Sequence, residues 1–234
     1  RPSKTVLRLV NPLTQAERWK FEFPLGTFVS LLDGEELLIV SREGKAERIE
    51  IVTGHRSMLA TLPTNALSGH RDHKYALTDG DKIYFVANKL DTERHIHHFG
   101  ETLQSIPAHG SVSAWNRSDG GLIWSRELQH QNLIVERFRS LPVLLFVSRS
   151  SEQKRRKGKI HHAMMSVQAI HKESGTVLHD STNPNAQSGF HSLELNPNEP
   201  SIELKSYSLR VKLRPRDHSA TQTAPDATPS PDNN

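Results

Sequence analysis

The stretch Ala114-Trp115-Asn116-Arg117-Ser118-Asp119-Gly120-Gly121-Leu122-Ile123-Trp124 runs from an alternating apolar segment into an Asp-Gly turn and reaches a large aromatic five positions after the acid. Val112 and Ala114 before the turn have the period-two spacing of a strand with one face buried. Glycine after Asp119 supplies the positive φ that a tight reversal needs, so the stretch reads as strand, turn, strand. The same frame recurs three times. Thr14-Gln15 leads to Trp19, Thr53-Gly54 to Met58, and Ser174-Gly175 to His179; Ala114 and Ala169 each stand five positions before their turn residue.

The turn anchors Thr14, Thr53, Asp119 and Ser174 are separated by 39, 66 and 55 residues. A period near 40 is that of a four-stranded propeller blade, and the longer gaps then contain insertions of roughly 27 and 16 residues. One blade would use Lys74-Tyr75-Ala76-Leu77, Asp79-Gly80 and Lys82 to Ala87, resuming at Ser111 after an insertion over 88–110. The next would use Leu133 to Val135 and Val143 to Val147, resuming near Met164 after an insertion over 148–163. Both insertions fall between the second and third strands of their blades, so they emerge on one common face.

The rest of the chain agrees with an all-β class. Leu7 and Leu9, Phe21 and Phe23, Ile49 and Ile51, Ile83 and Phe85, Val167 and Ala169, and Leu193 and Leu195 all keep period two. Tyr207, Leu209, Val211 and Leu213 alternate with Ser208, Arg210 and Lys212, which predicts a strand with one wet face. Further turns are marked by Leu32-Asp33-Gly34-Glu35 and Thr78-Asp79-Gly80-Asp81. No comparable helical period is present. The expected organisation is a partial blade at 1–25, blades at 27–63, 64–129 and 131–183, a partial blade at 184–214, and a disordered tail at 215–234. That tail carries four prolines counting Pro215 and no large apolar residue, too little to offset chain entropy.

The four-copy frame resembles the repeat of the PQQ-like β-propellers, the quinoprotein-dehydrogenase-like superfamily that also contains the bacterial outer-membrane assembly lipoprotein BamB. The resemblance covers about residues 5–213. Thr53-Gly54 is the literal Thr-Gly of that repeat, the acid position reads Asn11, Glu50, Asn116 and His171, and tryptophan is kept at 19 and 124. It implies a propeller, PQQ-like or WD40-like, in which Trp19 and Trp124 pack between neighbouring blades in a docking role. Because such rings close with more blades than these, the segment reads as the C-terminal part of a larger bacterial protein. Arg1-Pro2-Ser3 without an initiator Met reads the same way. Family members are commonly exported, so an extracytoplasmic location is the expectation.

Composition narrows the chemistry. The 234 residues include 30 Lys+Arg against 26 Asp+Glu, 35% hydrophobic and 6% aromatic residues, and no Cys. Without cysteine there is no disulfide, thiolate zinc site, iron–sulfur cluster or cysteine nucleophile. The most apolar run, Val143 to Val147, is far shorter than the roughly 20 residues of a membrane-spanning helix, so no transmembrane segment is expected. Gly-x-Ser-x-Gly, P-loop and dinucleotide fingerprints are missing. The quinoprotein family's catalytic pattern, a vicinal cysteine pair over the quinone with a calcium site, has no residue-by-residue match. Hence no catalytic residue and no cofactor are assigned.

Two weaker constellations lie in the insertions. His95-Ile96-His97-His98 would place His95 and His97 on one side of an extended chain, and His161-His162 would add imidazoles if the loops meet. Exposed loop histidines account for them as simply, as they do for His70 and His73 beside Asp72. Lys154, Arg155, Arg156, Lys157 and Lys159 form the densest charge cluster, suited to phosphate, an acidic protein or an anionic lipid, or else a solvated hairpin tip. No stacking aromatics surround it, and no nucleic-acid partner is expected. The structural repeat residues are Thr14, Trp19, Thr53, Gly54, Asp119, Gly120, Trp124, Ser174 and Gly175. The functional expectation is a non-catalytic propeller scaffold that binds unknown protein partners through loops 88–110 and 148–163. The alternative is part of a PQQ-dependent-type oxidoreductase whose catalytic blades lie upstream.

Overall fold

The computed structural model describes residues 4–62, 74–89, 103–150, 164–183, 189–196, 199 and 201–214. Sixteen strands follow one another among them: β1 (Lys4–Val10), β2 (Glu17–Pro24), β3 (Phe28–Leu32), β4 (Glu36–Val40), β5 (Lys45–Glu50), β6 (Arg56–Thr61), β7 (Lys74–Asp79) and β8 (Lys82–Asn88) come first. β9 (Ser105–Asn116), β10 (Leu122–Ile134), β11 (Val143–Ser150), β12 (Met164–His171), β13 (Val177–Asn183), β14 (Ser192–Asn196), β15 (Ser201–Lys205) and β16 (Arg210–Leu213) complete the set. A single 3-10 turn, Phe138–Ser140, interrupts the link between β10 and β11. Each strand pairs antiparallel with its neighbour in sequence, giving sheets β1-β2, β3 to β6, β7 to β13, and β14 to β16.

The seven-stranded sheet is two meanders sharing β10. Leu122–Leu128 pairs with Gly110–Trp115, whereas Gln131–Ile134 pairs with Ser105–Ala108, and the ladder shifts between Leu128 and Gln131. His130 sits at that break with φ +51. Only Asn132 and Leu133 of β10 pair with β11, opposite Val147 and Phe146. One meander is therefore β7, β8 and the facing halves of β9 and β10; the next is the end of β10 with β11, β12 and β13.

Consecutive sheets stack face to face, and strand alternation shows how. On β8, Ile83, Phe85 and Ala87 join Leu32, Leu38, Val40 and Leu59 of the preceding sheet. Tyr84 and Val86, pointing the other way, join Leu144, Phe146 and Ile170 of the second meander of the same sheet. β11 repeats the pattern, its Val143, Leu145 and Val147 packing with Leu193, Ile202 and Leu204. At the other end Phe23, with Leu7, Trp19 and Phe21 beside it, covers Ile39 and Ile49. A strand buried on both faces reads as a continuous apolar run, which explains Ile83 to Ala87 and Val143 to Val147. A fully buried ring such as Phe85 supplies about 2–3 kcal/mol. Antiparallel meanders stacked in chain order are propeller blades, and among the described residues they form an open arc.

Several expectations are corrected. Residues 88–110 are not all insertion: Ser105–Ala108 is the first part of β9 and adds a strand beside Gln131–Ile134, where Ala108, Leu133 and Ile134 are buried. The alternation from Tyr207 does not start a strand there, because Ser206 N–H donates to Leu209 O at 2.7 Å and closes a turn that leaves Tyr207 exposed. β16 begins only at Arg210. Ile51 likewise belongs to a turn and not to β5. The tail at 215–234 lies outside the described residues.

Candidate functional site

The turns of the four-copy frame are one structure built four times. The acid-position residue accepts from the backbone four residues on: Gln15 N–H donates to Asn11 O at 2.9 Å, Gly54 to Glu50 O at 2.8 Å, Gly120 to Asn116 O at 2.9 Å, and Gly175 to His171 O at 2.9 Å. The residue that closes each loop is left-handed, with φ +60 at Gln15, +72 at Gly54, +70 at Gly120 and +67 at Gly175. Side chains satisfy the remaining donors. Asp119 Oδ1 accepts from Gly121 N–H at 2.8 Å, and Thr53 Oγ1 accepts from His55 N–H at 2.9 Å.

These turns receive the preceding blade. Trp19 donates its Nε1–H to Ile51 O at 2.8 Å, and Trp124 donates to Lys172 O at 2.7 Å. In both cases the acceptor stands three residues before the turn glycine. A Cβ on Gly54 would lie 2.7 Å from Trp19, and one on Gly175 would lie 2.7 Å from Trp124. The copy that has Met58 in place of tryptophan docks differently: Met58 is exposed, and Gly120 rests directly on the backbone of Leu59. His179 bonds within its own strand, through Nε2 to Ser181 Oγ at 2.8 Å.

A second set of contacts joins the same blades, and it was not anticipated. Arg117, next to the acid-position residue Asn116, reaches back to the first turn of the preceding blade; it donates to Glu36 Oε2 at 3.0 Å and 3.2 Å and pairs with Asp33. Lys172, next to His171, does the same to Asp79 Oδ2 at 2.5 Å, and it also donates to Phe138 O in the β10–β11 link of its own meander. The signal lay in the register: each cation follows the acid-position residue of the frame, and Asp33 and Asp79 each occupy an Asp-Gly turn. Lys172 is almost wholly buried, with Nζ 4.3 Å from the Phe138 ring centroid. Burial pulls its pKa below the usual lysine value, opposed by the Asp79 carboxylate.

A cleft of about 430 Å³ opens where β3, β7 and the β10–β11 link meet. Its apolar lining is Leu31, Ala76, Leu77, Val135 and Phe138; its polar lining is Asp33, Thr78, Arg137, Arg139 and Ser140. Phe138 anchors the link by standing edge-on to Tyr84 at 5.4 Å between centroids, which leaves the flanking Arg137 and Arg139 exposed. Asp33 accepts from Thr78 Oγ1, Arg117 and Arg139. The Thr78 hydroxyl first, and then the Arg117 and Arg139 guanidiniums, hold its carboxyl below the ordinary range against the opposing effect of burial. A carboxylate so engaged is a poor general base, and this arrangement binds charge more readily than it moves protons. In an antiparallel meander the first and third turns lie at one end and the second at the other. The cleft thus lies at the end opposite the one where β8 and β11 finish.

His95, His97, His161 and His162, the cluster Lys154, Arg155, Arg156, Lys157 and Lys159, and His70, Asp72 and His73 lie outside the described residues. Among the described residues no group of three or more His, Cys, Asp or Glu could hold a metal, and no helix is long and apolar enough to cross a membrane.

No family model matches the sequence, and no curated protein matches it. Solved structures similar to it include KlAtg21 in complex with the coiled coil of AgAtg16 (10% identity, 87% of this chain and 56% of that one, TM-score 0.42). Dihydro-heme d1 dehydrogenase NirN in complex with DHE matches at 13% identity over 85% of this chain and 37% of that one, with a TM-score of 0.37. BamB from Moraxella catarrhalis matches at 11% identity over 89% and 97%, with a TM-score of 0.25. The chain spans 56% and 37% of the length of the first two. At these TM-scores the likenesses carry no argument, and the propeller architecture rests on strand order and blade stacking.

Proposed function

We propose that the chain is a non-catalytic, rigid platform for protein binding. The observation that carries this reading is the use made of the repeat's distinctive residues. Trp19 and Trp124 dock on the turns of the following blade, and Arg117 and Lys172 tie back to the preceding one. The only carboxylate lining the cleft among the described residues, Asp33, is taken up by three donors. Such a scaffold holds its loops in fixed relative positions, which is where binding residues concentrate in proteins of this kind.

The test replaces residues 90–102 and 151–163 of the intact protein by short Gly-Ser turns, keeping Ser105–Ala108 because it is part of β9. With both proteins shown folded by circular dichroism, a specific partner captured from native lysate by the wild type and lost by the variant is the expected result. Quinone-dependent dehydrogenase activity of the intact protein in the presence of calcium would overturn the reading.

A further inference from the structure

Arg137 has a backbone that its residue type does not favour. It stands at φ +55, ψ +23 before the 3-10 turn and makes no side-chain cap there. A Cβ in the left-handed region crowds the following carbonyl, and Asn or Gly would occupy the position with less strain. That backbone sets Arg137 in the cleft lining, and its guanidinium makes no hydrogen bond or ion pair among the described residues. Glu194, which feels the Arg137 charge, is itself bonded to Lys205 at 2.6 Å. Arg139, 65% exposed, shares Asp33 with Arg117 and Thr78, so that single carboxylate cannot also neutralise Arg137.

The cleft thus joins an arginine with no bonded acid among the described residues to an apolar surface of Leu31, Ala76, Leu77 and Val135, with a volume within the roughly 300–1,000 Å³ of ligand sites. We propose that this cleft receives an acidic peptide segment, with Arg137 and Arg139 taking its carboxylates and the apolar lining taking its intervening side chains. The proposal rests on the platform reading but places a second contact at the end opposite the one where β8 and β11 finish. Nucleic acid is disfavoured, because the lining aromatic, Phe138, is buried against Tyr84 and offers no face for stacking a base.

The test is fluorescence anisotropy of the intact protein with a short labelled peptide of alternating glutamate and leucine. Saturable binding that weakens with added salt is expected, with affinity falling about tenfold in Arg137→Asn and in Arg139→Gln, the effect of losing one charge-assisted contact. Asn is at ease in the left-handed region, so Arg137→Asn removes the charge and not the turn. Arg8→Gln, an equal loss of charge on β1 outside the cleft, should leave affinity unchanged. No saturable binding by the wild type, equal binding of an alternating lysine–leucine peptide, or unchanged affinity in the folded variants would overturn the proposal. So would tighter binding of a labelled oligothymidine through the same arginines. Because this titration needs no cellular partner, its failure is separate from failure of the capture experiment.

Discussion

Replacing Gly120 by Ala asks two separate things of the fold, and Gly34→Ala asks only one of them. Both positions are left-handed, with φ +70 and +80, and each alanine therefore costs about 1–2 kcal/mol in backbone conformation. At Gly34 a Cβ would meet nothing within 4 Å. At Gly120 it would lie 1.8 Å from Leu59 O and 2.5 Å from Leu59 C, both backbone atoms of the preceding blade. No rotamer change relieves that contact; the two blades must part or the turn must shift, adding about 2–3 kcal/mol by analogy with overpacked cores. The expected totals are about 3–5 kcal/mol for Gly120→Ala and about 1–2 for Gly34→Ala. For a domain of this size, at 2–4 °C per kcal/mol, the melting temperature should fall by roughly 10 °C and about 3–5 °C respectively. Thermal and urea unfolding followed by circular dichroism would read both. Equal shifts for the two variants would refute the idea that Gly120 is required by blade contact as well as by φ.

Trp124→Ala should cost about 3–5 kcal/mol, and Trp124→Phe about 1, since the second keeps most of the ring's packing and loses the Nε1–H bond to Lys172 O; urea midpoints would separate them. Trp19→Ala should cost less than Trp124→Ala, because Trp19 is only half-buried. Asp79→Leu should destabilise more than Lys172→Met, by about 3 kcal/mol in absolute terms, because it strands a buried ammonium whereas the methionine removes that charge; the same urea titration decides, and the reverse order would mean that Asp79 does not hold Lys172. Asp33 has a depressed folded pKa, so its contribution is complete above the ordinary carboxylate range near about pH 4 and is lost as pH falls through the lower folded value. The stability gap between wild type and Asp33→Asn should therefore be widest near neutrality and narrow as pH falls below the ordinary carboxylate range; a gap independent of pH would contradict it.

The turn frame was readable from sequence because each copy is closed by local bonds. An acceptor at Asn11, Glu50, Asn116 or His171, a hydroxyl or acid three residues on and a residue able to take positive φ after it are all within one short window. Chain periodicity likewise placed β7, β8 and the later part of β9, where alternation follows directly from which face is buried. What windows of this length do not contain is the partner across a blade junction. Arg117 and Asp33 are 84 positions apart, and Lys172 and Asp79 are 93 apart. The cleft draws on three separate segments, so no contiguous motif marks it. The early part of β9 was read as insertion because Ser105–Ala108 has weak alternation of its own and becomes strand only beside Gln131–Ile134. Met58 resembled a docking residue by position, yet the Leu59 backbone makes that contact. By itself the sequence determined the repeated turns and the strands they join, since those depend on hydrogen bonds between near neighbours. Only the tertiary structure decided which turn meets which blade and where Arg137 is left exposed without a bonded acid among the described residues, since those depend on packing between residues far apart in the chain.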